Sequence, residues 1–295
     1  MRKAIAAGSF YSANATELRK QIKNSFLEAL GPHEMPKKDS KKVYGVIAPH
    51  AGYIYSGQCA AWAYKAIAEA EKPDTLIVLG TNHTGYAESN FAVSTQDFET
   101  PLGIVKNDKE FCDLLILNGN KSRIGETRET LGDKIAHQRE HSIEVQLPFL
   151  QFIFQDRFEI VPVICQIKDC EIYERFAKLI VETAKKLKRK ICIIASSDFT
   201  HYGFSYGFVP FTSDVKNNLY GLDNNAIDLI SKFKTKEFLD YACRTTICGA
   251  GAIASAMEIC KLLGSKKAEL LKYYTSGDIS GDYSTAVGYV SMYFT

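Results

Sequence analysis

Two features that many proteins use to bind metal or to enter membranes are missing from this sequence of 295 residues. It contains no pair of cysteines separated by two residues, which excludes the common cysteine-rich structural zinc sites. Its eight cysteines are scattered, so we expect small buried side chains and not a disulfide framework. No apolar run is long enough to cross a bilayer, and the apolar residues after Arg2 and Lys3 are too few for a signal peptide. We therefore expect a cytoplasmic protein with no membrane partner.

An excess of charge of either sign is also missing, since 36 basic residues face 34 acidic ones and the formal net charge is +2. A chain with this balance is not expected to bind nucleic acid through a general electrostatic attraction. Its composition is ordinary for a globular protein with a substantial core, because 46% of the residues are hydrophobic and 24% are charged.

The apolar pattern alternates between short β-branched runs and longer amphipathic stretches, which predicts an α/β fold. Strands are predicted at residues 43–48, 75–79, 91–95, 158–163, 191–195, 270–275 and 285–294. Helices are predicted at 15–30, 57–71, 109–117, 171–187, within 225–263, and from Ser142 to an interruption at Pro148. The first two strands predict a parallel pair with a right-handed crossover, and the last strand is expected to be at an edge or antiparallel. We expect a single domain over residues 1–295, with a mixed, mostly parallel sheet flanked by helices.

Two histidines stand at the same place in two successive strand units. The run 43–48 is followed by Pro49 and His50, and the run 75–80 is followed by Thr81, Asn82 and His83. A lone histidine there more often caps or hydrogen-bonds a turn. Because the carboxyl ends of parallel strands share one edge, where such folds hold ligands, two copies favour a shared metal ion.

A third strand end adds candidates, since the run 191–195 leads to Asp198 and His201. Asp198 would complete a face of two histidines and one carboxylate, as in non-haem iron(II) oxygenases. Cys248 is the other candidate ligand, because a thiol at the start of a small-residue helix ionises readily; the alternative is a buried packing residue. His201 could be a base oriented by Asp198, a support for a ligand, or a hydrogen-bonded turn residue.

Residues 137–141 match the inverted zinc-peptidase motif H-x-x-E-H, in which two histidines bind zinc and glutamate is the base. The surrounding sequence is polar and predicts no apolar helix to carry the motif, so a zinc-dependent hydrolase is a minor alternative. We expect His141 and Glu144 to point into the site from the next helix.

Several separated motifs, taken in order, resemble the Memo family, named for a mediator of receptor-driven cell motility and also known as protein B of the AmmeMemoRadiSam system. The resemblance covers nearly the whole chain and rests on residues 7–11, 49–57, 80–83, 140–148, 196–203 and 248–249. It implies a fold similar to class III extradiol dioxygenases, whose non-haem iron(II) is held by two histidines and a glutamate.

On this resemblance, His50 and His83 would be metal ligands and Cys248 would take the place of the glutamate. A thiolate favours iron first and copper second, with zinc also possible, and it argues against ring cleavage. The implied activity is oxidation of a small substrate or reduction of oxygen. In that reading His201 is the acid/base, with His141 as a second, and Asp198 is an additional ligand.

Two tyrosines of the motif at residues 49–57, Tyr53 and Tyr55, are expected to line the mouth of the pocket. The alternative function is a module that binds a peptide or protein in this pocket without turnover. Other components of the AmmeMemoRadiSam system are candidate partners.

Overall fold

A computed structural model describes residues 1–39, 41–121, 131–155, 157–166 and 169–295, which alternate between helices and strands. The α-helices of these ranges, α1 to α9, are Ala15–Leu27, Tyr53–Glu69, Lys109–Lys121, Leu147–Phe154, Cys170–Leu187, Val215–Ser231, Thr235–Ala242, Ala250–Leu263 and Ser276–Ser280. The strands, β1 to β10, are Gly45–Ala48, Thr75–Thr81, Phe91–Val93, Phe98–Thr100, Gly103–Asn107, Glu159–Cys165, Ile191–Ser196, His201–Tyr202, Ala268–Thr275 and Ala286–Phe294. Among the described helices, none has both the length and the apolarity that a membrane crossing requires.

All described strands belong to one mixed sheet, in the order β4-β5-β6-β2-β7-β1-β10-β8, with β3 beside β6 and β9 beside β10. Its centre is parallel, because β6, β2, β7 and β1 pair in that orientation. Strand β10 runs antiparallel to β1, β8 and β9, so it is antiparallel as expected but lies inside the sheet. The predicted α/β architecture is confirmed.

Helices cover both faces of the sheet, which explains why the central strands are apolar without interruption. Successive side chains of β2 alternate between two core clusters. Leu76 and Val78 pack with residues of α1, α2 and α4, whereas Ile77 and Leu79 pack with residues of α3, α5 and α8. Every residue of β2 is buried, which fixes the register of the strand at the centre of the fold.

The predicted direct pairing of the first two strands is wrong. Strands β1 and β2 are parallel, but β7 lies between them and pairs with both. Local sequence cannot reveal this order, since it depends on a strand more than a hundred residues further along the chain. The consequence is that the carboxyl ends of β1, β7 and β2 stand side by side.

Several predicted helix boundaries also change, two of them close to the site. Helix α2 begins at Tyr53 instead of residue 57, with Gly52 as its N-cap. Pro148 does not interrupt a helix but lies in the first turn of α4, where proline's missing N–H leaves no bond unmade. A short 3₁₀ turn at Glu144–Gln146 leads into that helix.

Candidate metal centre

The ends of three adjacent parallel strands each deliver one polar side chain to the same edge of the sheet. His50, Asp198 and His83 each lie two residues beyond the last residue of β1, β7 and β2, respectively. Cys248 joins them from the turn that precedes α8. This shared edge is the usual ligand-binding position of a parallel α/β sheet.

Three of the predicted residues form a compact group of metal-binding atoms. One ligand atom each from His50, His83 and Cys248 lies within 4.8 Å of the other two. Cys248 Sγ is 3.3 Å from His50 Nε2, and the two imidazole rings are nearly perpendicular with centroids 5.1 Å apart. His50 is buried, Cys248 is half-buried, and 30% of the His83 side chain is exposed.

His50 is held by the strand between the two histidine-bearing strands. Its Nδ1 lies 2.8 Å from the Oγ of Ser196, the last residue of β7, and its backbone N–H donates to Asp198 Oδ1. Burial lowers the pKa of the His50 imidazole and so favours the neutral ring that a metal ion requires.

His83 is held by Glu140, a residue of the loop before the 3₁₀ turn. The buried Glu140 carboxylate accepts the His83 backbone N–H at 2.8 Å and contacts its Nδ1 at 2.9 Å. Burial alone would raise the pKa of Glu140, but the hydrogen bond and charge of His83, together with the Ser142 backbone N–H and the charge of His141, outweigh burial and the pKa falls to about 2. Partial burial would lower the pKa of His83, but bonds to Cys248 and Glu140 outweigh it and raise the pKa to about 10.

The surroundings of Cys248 favour its ionised form. Burial would raise the pKa of the thiol, but the neighbouring His50 and His83 outweigh it and lower the pKa to about 6. The turn is packed closely against β7, since the Gly249 N–H donates to Ser197 Oγ at 2.9 Å. A Cβ at Gly249 would lie 2.5 Å from Ser197 Cβ, so only glycine fits there.

His141 lies against the site histidines. Its ring stacks on His83 with centroids 4.7 Å apart and also contacts Phe10, with centroids 4.4 Å apart. Burial lowers the pKa of His141 to about 4. The ligand atoms of His83, Glu140 and His141 form a second group within 4.8 Å, which shares His83 with the first.

Asp198 is adjacent to these groups but belongs to neither of those found among the described residues. Its Oδ1 accepts the backbone N–H groups of His50 and Ala51, and burial raises its pKa. Asp198 therefore lies beneath the turn that carries His50, and its role as a catalytic residue or additional ligand stays a prediction.

The His201 ring is oriented by two backbone carbonyls. Its Nδ1 lies 2.9 Å from Phe199 O and 3.0 Å from Thr246 O. Because carbonyl oxygens only accept hydrogen bonds, Nδ1 carries a proton and Nε2 is the basic nitrogen of the neutral ring. The Tyr206 ring is 5.0 Å away in an edge-on contact. This orientation is suited to proton transfer, and the acid/base role of His201 stays a prediction.

The two tyrosines expected at the mouth of the pocket have different environments. Tyr53 is buried, donates its hydroxyl to Val145 O at 2.6 Å and packs against Phe149, so it is a core residue and not a pocket residue. Tyr55 is 41% exposed. Since α2 begins at Tyr53, side chains two positions apart point to different sides of its first turn.

The zinc-peptidase motif is not formed, because residues 137–141 are turn, bend and irregular backbone and not a helix. His137 Nε2 contacts Ala92 O at 2.8 Å in the core, and burial lowers the pKa of this ring to about 4. Glu140 is bonded to His83 instead of standing free as a base. A hydrolase that depends on this motif is therefore excluded.

Glu144, which we expected in the site, instead holds the N-terminal segment. It forms a buried ion pair with Arg2 and accepts hydrogen bonds from the backbone N–H groups of Ile5 and Ala6 and from Tyr11. This arrangement brings Phe10 onto His141. The sequence around Glu144 does not distinguish a residue of the site from an anchor of the N-terminal segment, because both roles use a buried carboxylate.

Two imidazoles and one thiolate match the donors that transition metals prefer, whereas magnesium and calcium prefer oxygen ligands. The described residues therefore fit a transition-metal ion. The fold and site together define an α/β protein with a candidate metal centre at the carboxyl edge of its parallel strands.

Known proteins of one family are similar to this chain over nearly its whole length. A sequence profile described as Memo-like protein matches residues 2–293. The chain is 41% identical to a MEMO1 family protein of Desulfurococcus amylolyticus, which covers 99% of this chain and 98% of the relative. It is 38% identical to a MEMO1 family protein of Methanopyrus kandleri, over 99% of this chain and 98% of the relative. It is 36% identical to a MEMO1 family protein of Nitrosopumilus maritimus, over 100% of this chain and 99% of the relative. The protein belongs to the Memo-like family, as its motifs suggested.

Proposed function

We propose that this protein is a metal-dependent redox protein that binds iron, or copper in second place, through His50, His83 and Cys248. The observation that carries the proposal is the grouping of these three ligand atoms within 4.8 Å. The group includes an ionised thiol, because the pKa of Cys248 is lowered to about 6. Zinc is the third metal that this donor set accepts.

The metal ion, when bound, would supply one-electron or oxygen chemistry at the positions that three protein ligands leave open. The protein's own residues would provide the surroundings. Cys248 contributes a negative charge, and His201 offers Nε2 as a proton acceptor, because its Nδ1 donates to two carbonyls. His141 and Asp198 lie beside the site. The proposed reaction is oxidation of a small substrate or reduction of oxygen.

Metal analysis of protein purified without oxygen tests this proposal. We expect about one equivalent of iron or copper in the wild type and loss of most of it in His50→Ala, His83→Ala and Cys248→Ser. His33→Ala is the matched control, since His33 is exposed and lies before β1, and it should keep the metal. Undiminished metal in all three site variants would refute the proposed ligands.

A second candidate function is binding of a peptide or protein at the same opening, without turnover. It is favoured by exposed apolar side chains shortly after His50, His83 and His201 in the chain: Ile54 is 68%, Tyr86 50% and Phe204 89% exposed. Groups of exposed apolar side chains are typical of interaction sites. Other AmmeMemoRadiSam components are the partners proposed for this case. Metal binding without oxygen consumption, in the presence of reductants or catechols, would favour this candidate.

A further inference from the structure

Ser196 has three polar neighbours, and together they fix its hydroxyl proton. Its Oγ lies 2.7 Å from Ser142 O, 2.8 Å from Gln146 Nε2 and 2.8 Å from His50 Nδ1. A backbone carbonyl can only accept, so the single hydroxyl proton of Ser196 is donated to Ser142 O. The hydroxyl oxygen must then accept from both Gln146 and His50.

The orientation of Gln146 is fixed independently. Its Nε2 contacts Pro49 O at 3.0 Å, and its Oε1 accepts the hydroxyl proton of Tyr64. The atom that faces a carbonyl must be the amide nitrogen, so this nitrogen also donates to Ser196. His50 therefore carries a proton on Nδ1, and its Nε2 is the ring nitrogen that faces Cys248 Sγ, 3.3 Å away.

Glu140 constrains His83 in the same way. Its Oε1 contacts His83 Nδ1 and accepts the Ser142 backbone N–H, while its Oε2 accepts the His83 backbone N–H. An ionised carboxylate only accepts, so His83 Nδ1 carries a proton, and Nε2 is the ring nitrogen that a metal ion would bind after displacing its proton. Glu140 is anchored by two backbone donors and so is arranged as a partner for His83, not as a ligand of a second ion.

We infer that Ser196 and Glu140 are positioning residues that present the Nε2 atoms of His50 and His83 together to one metal ion. This inference rests on the proposed metal site for its purpose, but the proton positions that it assigns exist without metal. His50 is held by a neutral hydroxyl and His83 by a carboxylate, so the two rings differ in basicity. A carboxylate raises the basicity of the ring it holds, so His83 is the stronger donor of the pair.

Nitrogen NMR of ¹⁵N-histidine-labelled, metal-free protein tests the proton positions directly. We expect a protonated Nδ1 on both His50 and His83. Ser196→Ala should convert His50 to a mixture of tautomers, whereas Ser291→Ala should not, because Ser291 is equally buried but donates to Cys59 O. A protonated Nε2 with a bare Nδ1 on either wild-type histidine would overturn the inference, whether or not the protein binds metal.

Titration with Fe²⁺ under anaerobic conditions tests the positioning role of Glu140. An amide has one acceptor oxygen where the carboxylate uses two, so Glu140→Gln loses one contact with His83 and should weaken Fe²⁺ binding roughly 10- to 100-fold. Glu258→Gln is the control. Glu258 is a buried glutamate that accepts a hydrogen bond from Thr235 and contacts neither site histidine, so this variant should bind Fe²⁺ as tightly as the wild type does. Unchanged affinity in a folded Glu140→Gln, or two ions per wild-type chain with one lost in this variant, would overturn the inference. If the wild type binds no metal, the proposed function fails, and the NMR result still decides the proton positions.

Discussion

At the scale of single residues, Cys248 is a side chain whose ionisation the two site histidines change strongly. Burial opposes its ionisation, but His50 and His83 outweigh burial and lower the pKa to about 6, so the thiolate forms well below the ordinary thiol range. In metal-free protein we expect the rate of Cys248 alkylation by iodoacetamide to rise with pH and to level off above about pH 6 to 7. His50→Ala should move this midpoint upward. The rate is measured by mass spectrometry of the labelled peptide.

The buried cysteines provide the internal control for this measurement. Burial raises the pKa of Cys59, Cys165 and Cys192, so these thiols should stay unlabelled over the same pH range. A midpoint for Cys248 near pH 9 in the wild type would contradict the proposed effect of the two histidines.

The residues of the site differ in how far the sequence could predict them. His50 and His83 were visible because each follows an apolar strand. Cys248 was one of two candidates for the third ligand, and the family resemblance favoured it over Asp198. Ser196 and Glu140 were missed as partners of the histidines. Their roles depend on β7 lying between β1 and β2 and on a loop folding back, which no local pattern encodes. Asp198 was placed at the correct edge, but the backbone contacts that occupy its Oδ1 could not be foreseen.

At the scale of elements, the N-terminal segment is fastened to the site by one buried ion pair. Arg2 and Glu144 are both nearly inaccessible, and Glu144 also accepts from Ile5, Ala6 and Tyr11. Removing one partner leaves a buried charge unpaired, so Glu144→Ala should lower the free energy of unfolding by about 3–5 kcal/mol. Chemical denaturation measures this loss.

The matched control is the exposed pair of Lys3 and Glu99 in the same region. The Lys3 side chain is 70% exposed, so Lys3→Ala should change the free energy of unfolding by less than about 1 kcal/mol. Equal losses of unfolding free energy in Glu144→Ala and Lys3→Ala would show that the buried ion pair does not stabilise the N-terminal segment.

The elements themselves were largely predictable, and their arrangement was not. Unbroken apolar runs identified the central strands, because a strand buried on both faces shows no alternation. Pro148 was misjudged, since proline breaks a helix interior but is favoured in a first turn, and the sequence does not say where that turn begins.

At the scale of the whole molecule, the parallel centre of the sheet accounts for the site. Three neighbouring strands end at one edge, and the residue two positions beyond each is His50, Asp198 or His83. Cys248 completes the group from the start of α8, more than forty residues beyond β7. The candidate centre is therefore a product of topology, and it forms only when the complete sheet has folded.

X-ray absorption spectroscopy of the anaerobically loaded protein tests the central claim most directly, because it identifies the atoms bound to the metal. We predict one sulfur and two imidazole nitrogens from the protein, with the sulfur contribution lost in Cys248→Ser and one imidazole lost in His83→Ala. A metal ion surrounded only by oxygen and nitrogen in the wild type, or a spectrum unchanged in Cys248→Ser, would contradict a centre built from His50, His83 and Cys248.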